Sequence, residues 1–562
     1  MGTVISREPS FFMAAACLLA AVALVVGAAG PATPGPPPRN TLYEDLLSFF
    51  RDWRSFQKPR LVDGVPDYSA GAMAVQQRGL ASWRQRLAAT DPSGWTVARQ
   101  VDYCVVRAEI AGLDFDHRVL KPWANNPAFY VTVFTEESDQ PAREGPFASG
   151  AVELWTYEFP LSAERAAQLD SQIRTIPRLL AQAKTNLTGN GRDLWIFGAK
   201  SLRRQSADLA RLASRVIGTP GNLKADAERA RQATDDLVAR LDSRAASKTG
   251  PSGVGVENYD WYLKNVQLVP YTWREEVALM ERELARAHSL LAMEEQRNAK
   301  LPQLAPISNA EEYSRRFDAA ITEYMAYLRD HEILEVRDFM DPALRARIGS
   351  FNPGPREFFG EVDYRDPEVM RTHGYHWFDK AWMERLPHPS PIRRGPLLYN
   401  IFNTRTEGHA TGWEELMMQA GMFDARPRAR ELVYILVAER AARALGELRM
   451  HANEATLEQA SAFACANTPR GWLRMDGELV RDEQHLYLQQ PGYGTSYLIG
   501  KIEVEKLLSE RKQEQGERFR MKRFMEDFNA AGLIPASLIR WELAGRQSDD
   551  FKRMLSLTPS LQ

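Results

Sequence analysis

The chain has 562 residues, of which 44% are hydrophobic and 26% are charged, and its formal net charge is −2. These values are ordinary for a globular protein, and the length is sufficient for one large domain or several average ones. Because the charges are spread along the chain without a basic patch, nucleic acid is excluded as an expected partner.

An uncharged apolar run lies close to the N-terminus. The segment "FFMAAACLLAAVALVVGAA" follows Arg7, ends with small residues and leads into the Pro-rich "GPATPGPPPRN". This pattern is typical of a secretory signal, although its length is also near the minimum for a membrane span. We expect residues 1–30 to be a signal peptide, which the composition favours, or an uncleaved N-terminal anchor. Residues 31–40 are then a linker, and the remainder is expected to be periplasmic or secreted.

Amphipathic helix patterns dominate the chain after the linker, and the alternation typical of strands is scarce. The stretches with helical spacing are "SAERAAQLDSQIRTIPRLLAQAKTNL", "ADAERARQATDDLVARLDSRAAS", "TWREEVALMERELARAHSLLAMEEQRNAK" and "SNAEEYSRRFDAAITEYMAYLRDH". The last begins with a capping-box pattern, from Ser308 to Glu311. We predict a mainly α fold in which residues 41–562 form one large helical domain, with a candidate sub-boundary near residues 246–256. At most a small β element is expected, at "AFYVTVF" or "AVELWTYEF".

Two cysteines lie outside the apolar run. Cys104 and Cys465 are far apart in the chain, and neither has a neighbouring Cys or His at metal-ligand spacing. In an extracytoplasmic protein they could form a disulfide, and two buried free thiols are equally compatible with the sequence.

The segment "EVMRTHGYHWFDKAW" carries the most conspicuous candidate metal ligands. His373 and His376 are three residues apart, which would place both imidazoles on one face of a single helix. No acidic residue follows either histidine, so the glutamate base of a His-Glu-x-x-His zinc site is absent. The similar "HEILE" at His331 lacks a second histidine and is interpreted as an exposed helix end.

Three later segments carry further candidates. In "TRTEGHATGWEELMMQAGM", Glu407 and Glu414 are seven residues apart and share a helical face, so Glu407 is a candidate third ligand, although paired helical carboxylates are more often solvated. The segment "RAARALGELRMHANEATLEQASAF" contains Arg443, Glu447 and His451 at four-residue spacing. These three residues form either a surface ion-pair row or a scaffold behind a site.

In "YLQQPGYGTSYLIGKIE", Tyr493 and Tyr497 follow a turn, where a tyrosine hydroxyl could stabilise an oxyanion.

In order and spacing these segments resemble the bacterial domain-of-unknown-function family 885, whose members are placed with gluzincin-type zinc metallopeptidases. The family blocks EGWALYAE, RLVVDTGLH, EVDRY…PGQALSYKIG and FHD…G..PL are similar to "EGHATGWEE", "RALGELRMHANEATLEQA", "EQHLYLQQPGYGTSYLIGK" and "FMEDFNAAGLIPASLI". Weaker similarity extends over most of the chain. The resemblance implies a large helical peptidase-like domain, with His376 and Glu407 in blocks that match the family, whereas His373 is a candidate ligand through its spacing from His376. It also implies catalytic roles for Glu414 and Tyr497 and substrate contacts for Tyr487, Tyr493, His451 and Arg443.

The chain departs from the family at the residues that carry the chemistry. When "MRTHGYHWFD" is aligned with the family block HEGYPGHHLQ, Met370 and Arg371 replace the His–Glu pair, and His376 keeps the histidine after PG. A methionine thioether is a poor zinc ligand, and an arginine would repel the ion. This register therefore predicts a degenerate metal motif.

Two functional hypotheses follow. The first is a secreted or periplasmic peptidase-like protein that has lost ordinary zinc hydrolysis, holds no cofactor, and binds peptides or an envelope protein. The second is a metal-dependent peptidase or other hydrolase that uses zinc on a rearranged set of ligands, namely His373, His376 and Glu407, with Asp379 or Glu414 as the base.

Overall fold

A computed structural model describes residues 42–556, which lie in one compact unit. Nearly all of its regular structure is helical, which confirms the predicted mainly α fold. The predicted signal segment and the Pro-rich linker lie outside the described residues. Within residues 42–556, no helix is both long enough and apolar enough to cross a bilayer.

Eleven α-helices occupy the first part of the described chain. They are α1 (Tyr43–Phe56), α2 (Ala70–Ala88), α3 (Val97–Phe115), α4 (Pro122–Asn125), α5 (Ala163–Ile173), α6 (Ile176–Asn186), α7 (Arg192–Arg215), α8 (Leu223–Ala245), α9 (Val256–Tyr262), α10 (Trp273–Arg297) and α11 (Ala310–Asp330). Single π-helical turns follow α3 and α9, at Asp116–Leu120 and Leu263–Gln267.

Twelve α-helices make up the remainder. They are α12 (Met340–Arg345), α13 (Phe358–Asp363), α14 (Pro367–His373), α15 (Tyr375–Arg385), α16 (Asn403–Gln419), α17 (Pro427–His451), α18 (Leu457–Asn467), α19 (Leu479–Gln489), α20 (Tyr493–Gln515), α21 (Met521–Ala530), α22 (Ala536–Ala544) and α23 (Asp549–Ser556). Short 3₁₀ segments lie at Pro127–Tyr130, Leu154–Thr156, Pro469–Gly471 and Gly516–Arg518.

Only four two-residue strands occur among the described residues. β1 (Leu61–Val62) and β2 (Val65–Pro66) form an antiparallel hairpin. β3 (Val133–Phe134) pairs in parallel with β4 (Val152–Glu153), so the two segments expected to contain a small β element pair with each other. The chain between β3 and β4, residues 135–151, is a loop that we call the crossing segment.

Two of the predicted helix boundaries differ from the structure. The stretch 162–187, read as one amphipathic pattern, is divided into α5 and α6, because Pro177 occupies the first turn of α6 and cannot continue a preceding helix. The N-cap of α11 is Asn309, whose side chain accepts a hydrogen bond from the N–H of Glu312, so the predicted Ser308–Glu311 cap was wrong by one residue. His331 is the exposed residue that ends α11, as interpreted from the sequence.

The two cysteines are free thiols in the structure. Cys104 lies on α3 in the main core and Cys465 lies on α18, where it packs against the same core. Burial raises the pKa of both thiols, to about 11 for Cys465, so neither is an activated thiolate. Of the two states that the sequence left open, the structure has the unpaired one.

Helices α16 and α20 cross at a pair of glycines. A Cβ on Gly408 would lie 2.2 Å from Cα of Gly500, and a Cβ on Gly500 would lie 2.1 Å from the carbonyl oxygen of Thr404. No side chain fits at either position, so the two backbones are in direct contact. This crossing places the start of α20 beside the first turns of α16.

A buried glutamate of α17 holds the turn that precedes α20. Glu447 accepts hydrogen bonds from the N–H groups of Gly492 at 2.5 Å and Thr495 at 3.0 Å, and from the hydroxyl of Tyr259 at 3.0 Å. The N–H groups of Gly492 and Thr495 lie at the N-terminus of α20, where unpaired N–H groups favour an acceptor. Glu447 therefore fixes the position at which Tyr493 enters α20.

Replacement of Glu447 by Gln should change how stability depends on pH. Burial outweighs the hydrogen bonds and raises the pKa of Glu447 to about 8, while Glu276 and Tyr259 face the same carboxyl. Between its ordinary pKa and about 8 the folded chain binds more protons than the unfolded chain, so this carboxyl makes the free energy of unfolding fall as pH rises. We expect the wild type to lose up to about 1.4 kcal/mol per pH unit relative to Glu447→Gln across that interval.

Denaturant unfolding at several pH values between 5 and 8 measures the difference. Glu454→Gln, at a mostly solvent-facing position just beyond the end of α17, is the matched control and should follow the wild type. Equal pH slopes for the wild type and Glu447→Gln would contradict the assignment.

Candidate metal centre

The two histidines of the candidate site lie on different helices. α14 ends at His373 and α15 begins at Tyr375, with Gly374 between them, so the expectation that one helical turn carries both imidazoles was wrong. The N–H of Gly374 bonds to the carbonyl oxygens of Met370 and Arg371, and a Cβ there would lie 2.8 Å from Leu344. The imidazoles still converge, with ring centres 5.0 Å apart and planes inclined by 74°.

Glu407 completes a group of three candidate ligands. One ligand atom each from His373, His376 and Glu407 lies within 4.8 Å of the others. Glu407 is on the second turn of α16, and both it and His376 are 2% exposed. Nε2 of His376 lies 3.2 Å from Oε2 of Glu407, which is an ion-pair distance when the ring is protonated, and neither buried atom has another hydrogen-bond partner among the described residues. Two buried polar atoms that face each other in this way fit a shared ligand between them.

The outer atoms of His376 and Glu407 are held by other side chains. The amide nitrogen of Gln140, on the crossing segment, lies 3.2 Å from Nδ1 of His376 and donates to Oε1 of Glu407 at 2.9 Å. Thr406 donates to the amide oxygen of Gln140 at 2.6 Å, and the hydroxyl of Tyr493 donates to Oε1 of Glu407 at 2.5 Å. Only Nε2 and Oε2 therefore face inward.

His373 is oriented by a buried ion pair. Arg440 of α17 binds both oxygens of Glu414, at 2.7 and 2.8 Å, and Oε1 of Glu414 lies 2.9 Å from Nδ1 of His373. Burial and then the charge of Arg440 lower the pKa of His373, so the ring is neutral and carries one proton. Donation of that proton to Glu414 leaves Nε2 with a free lone pair, as in carboxylate–histidine pairs behind metal ions.

The charges of His376 and Glu407 stabilise each other. Burial opposes protonation of His376, but Glu407 and Asp139 outweigh it and raise its pKa to about 9. Burial likewise opposes ionisation of Glu407, but His376 lowers its pKa to about 2. The site thus holds a carboxylate beside a positive charge.

Met370 and Arg371 lie outside this group. Arg371 binds both oxygens of Asp363 at 3.0 Å and stacks on Phe317 at 5.1 Å, so its charge is already paired. Met370 packs against the main hydrophobic core. The repulsion of a metal ion that the sequence suggested at Arg371 is therefore offset by Asp363.

The other residues proposed from the sequence fall into two groups. Tyr487 and Tyr497 each have a ring centre 5.9 Å from that of Tyr493, and the guanidinium of Arg443 lies 5.4 to 5.7 Å from their rings. Arg443 is itself paired with Glu439 and Glu483.

His451 lies at the far end of α17, eleven residues or about 16 Å from Arg440 along the axis. Its ring contacts the carbonyl of Tyr487, the N–H of Val254 and the ring of Tyr259. The ladder Arg443, Glu447 and His451 is fully buried, so it is not a surface ion-pair row.

Two contributors were not found from the sequence. Gln140 lies in a loop without periodic pattern and more than 230 residues before His376, so no local signal identifies it. Arg440 is three residues before Arg443 on a helix whose Arg and Glu spacing had been noticed. The sequence signal that could have identified Arg440 is the excess of charged residues on a helix that is otherwise apolar.

Removal of Arg440 should destabilise the protein through Glu414. In Arg440→Met the buried carboxylate keeps only His373 as a partner, and the loss of one member of a buried pair costs about 3–5 kcal/mol. The double variant Arg440→Met/Glu414→Gln should recover a large part of that loss, because no buried charge is then left unpaired. Denaturant unfolding of the wild type, both single variants and the double variant measures the coupling; additive effects would contradict it.

Comparisons with known proteins find solved structures with a similar fold and a family that matches part of the sequence. No curated protein sequence matches the chain. A solved structure described as "a putative lipoprotein of unknown function from Shewanella oneidensis" is similar over 89% of this chain and 98% of its own, with a TM-score of 0.65 and 15% identity. A second, "the putative lipoprotein from Colwellia psychrerythraea", is similar over 90% and 99%, with a TM-score of 0.63 and 14% identity. These likenesses concern the fold.

The sequence of the C-terminal part matches a family. Residues 374–543 match the profile described as "Bacterial protein of unknown function (DUF885)". The match runs from the start of α15 to the end of α22 and so contains His376, Glu407 and Glu414. The match begins three residues after Arg371, which is one of the two residues at which the sequence departs from the family pattern. The family resemblance read from the sequence blocks is thereby confirmed for residues 374–543 as similarity to DUF885.

Proposed function

We propose that this chain binds one divalent metal ion of the zinc class at His373, His376 and Glu407. The observation that carries the proposal is the pair of buried inward atoms, Nε2 of His376 and Oε2 of Glu407, which lie 3.2 Å apart and have no other hydrogen-bond partner among the described residues, so that a metal ion would take the place of the Nε2 proton between them. Ligands on a tetrahedral zinc ion are about 3.3 Å apart, because zinc–ligand bonds measure about 2.0–2.1 Å. The separation of these two atoms therefore suits a common zinc ion.

The chemistry of the donor set also supports zinc. Two imidazole nitrogens and one carboxylate oxygen are the ligands of many catalytic zinc sites, in which the fourth position remains open. When bound, such an ion supplies a Lewis acid and an acidic bound water. In this chain Glu414 orients His373, Gln140 holds His376, and Gln140 together with Tyr493 orients Glu407.

Metal analysis of the purified protein tests the site. We expect about one zinc per chain after loading and dialysis, and a loss of nearly all of it in His376→Ala. Gln140→Leu removes a partner of two ligands and should weaken the affinity about 10- to 100-fold. His331→Ala, at the exposed end of α11, is the matched control and should bind as the wild type does. Equal zinc content in the wild type and His376→Ala would overturn the proposal.

We further propose that ordinary zinc hydrolysis is lost. A hydrolytic zinc site needs a carboxylate that is free to take a proton from water. Both carboxylates suggested for this role are occupied, since Glu414 is bound by Arg440 and Asp379 is bound by Arg405 through two contacts of 2.9 Å. The ligands are also covered, and Gln140 lies directly against them. These contacts favour a peptidase-like scaffold that retains the metal without the base.

Peptidase assays of the zinc-loaded protein test the proposed loss of hydrolysis. With a mixture of unblocked peptides as substrate, we expect the wild type to be no more active than His376→Ala. The alternative is a metal-dependent hydrolase with a rearranged ligand set. Turnover by the wild type that disappears both in His376→Ala and after chelation would establish that alternative and refute the loss of hydrolysis.

We propose an extracytoplasmic location for the protein. The apolar run at Phe11–Ala29 and the Pro-rich segment after it support export, and both structural neighbours carry lipoprotein titles. Peptides or an envelope protein are the partners that suit a peptidase-like scaffold in that compartment.

A further inference from the structure

A cavity lies beside the crossing segment. It has a volume of about 240 Å³ and lies between α2, the end of α3 and residues 142–149. Its walls are mainly apolar and include Met73, Leu113, Trp123, Phe129 and Phe147. Because pockets for drug-sized ligands span about 300–1,000 Å³, this one suits a molecule the size of an amino acid.

Several buried polar side chains line this cavity without satisfying their hydrogen-bonding groups. Gln57 is 8% exposed, and both its amide oxygen and its amide nitrogen lack a partner among the described residues. The same holds for Oδ1 of Asn400, which is 2% exposed, and Nε2 of Gln490, which is 6% exposed. Buried polar groups are normally paired, so three incomplete amides around one cavity indicate a ligand that completes them.

One carboxylate lines the cavity. Asp116 is the first residue of the π-helical turn after α3, and no hydrogen bond joins its carboxyl group to another described residue. Burial raises the pKa of Asp116 to about 8, because no positive charge compensates the carboxyl group, and a cation beside it would favour the ionised form. The single cation of the lining, Arg143, donates to the carbonyl of Glu136 and stacks on Phe134 at 4.1 Å, and its buried Nε has no hydrogen-bond partner among the described residues.

The backbone around the cavity is also unusual. π-Helical turns are rare and often occur at functional sites. Two of them border this cavity, because Asp116 begins one and Tyr262 immediately precedes the other. Asn400, which is not glycine, has a φ of 49°. Non-glycine residues in that region are energetically costly, and the surrounding structure must hold them in place.

We propose that this cavity binds a primary ammonium group carried on an apolar or aromatic body. The ammonium group lies at Asp116, the apolar part contacts Trp123, Phe129 and the other walls, and the free amide groups complete the polar contacts. The proposal does not depend on the metal site. Such an ammonium group occurs both in small arylalkylamines and at the N-terminus of a peptide that begins with an apolar residue.

Calorimetric titration of the full mature chain tests the proposal with matched probes. We expect 2-phenylethylamine to bind at least about tenfold more tightly than 2-phenylethanol, which has the same body without the charge. Phe-Gly and N-acetyl-Phe-Gly distinguish the two sources. Binding of Phe-Gly but not of its acetylated form assigns a peptide N-terminus, and binding of the small amine alone assigns an arylalkylamine.

Two variants locate the binding. Asp116→Asn preserves shape, removes the ionisable carboxyl group, and should abolish the preference for the amine over the alcohol. Asp52→Asn, on the exposed face of α1, is the matched control and should keep it. Ala142→Phe, which fills the cavity from the crossing segment, should abolish binding of every probe.

The proposal is overturned if the alcohol binds as tightly as the amine, if Asp116→Asn keeps the preference, or if no probe binds. Zinc content should be unchanged in Asp116→Asn, so failure of this proposal is distinguishable from failure of the metal site.

Discussion

The contact between Gly408 and Gly500 is the constraint on which the candidate site depends. At this point α16 and α20 touch through their backbones, and any larger side chain would overlap main-chain atoms. Glu407 immediately precedes the contact on α16, while Tyr493 lies two turns before it on α20. The crossing therefore brings the hydroxyl of Tyr493 to 2.5 Å from Glu407 and leaves the other carboxylate oxygen facing His376.

Helix α17 stabilises this arrangement through buried side chains that form two groups of ion pairs and one set of hydrogen bonds. Arg440 neutralises Glu414, Arg443 is shared by Glu439 and Glu483, and Glu447 binds the start of α20. A buried ion pair contributes little net stability, but loss of either member is costly. These pairs therefore act mainly on geometry, because each one restricts the helices to a single register.

Part of the site was predictable from the sequence because residue types and spacing reveal helix faces. The spacing of Glu407 and Glu414 placed both on one face of a helix, and the three-residue spacing of His373 and His376 singled out the two imidazoles. The break at Gly374 was not predictable, because three-residue spacing is compatible with one helix or two. Gln140 was missed for a different reason, since it arrives from a loop whose position depends on tertiary contacts.

The same limit explains why the cavity at Asp116 was not predicted. "LDFDHRVL" reads as the continuation of α3, and nothing in its composition marks a π-helical turn or a carboxylate without a partner. The cavity is formed by distant segments, since Gln57, Asn400 and Gln490 come from three other parts of the chain.

The crossing segment joins the two sites in one structure. Gln140 contacts the candidate metal ligands, and two residues later Ala142 begins the wall of the cavity. The segment is fixed on both sides of these residues, because Glu137 pairs with Lys380 at 2.6 Å and the N–H of Ser149 bonds to Tyr68 at 2.8 Å. The two candidate sites therefore share this segment, although each is built from its own side chains.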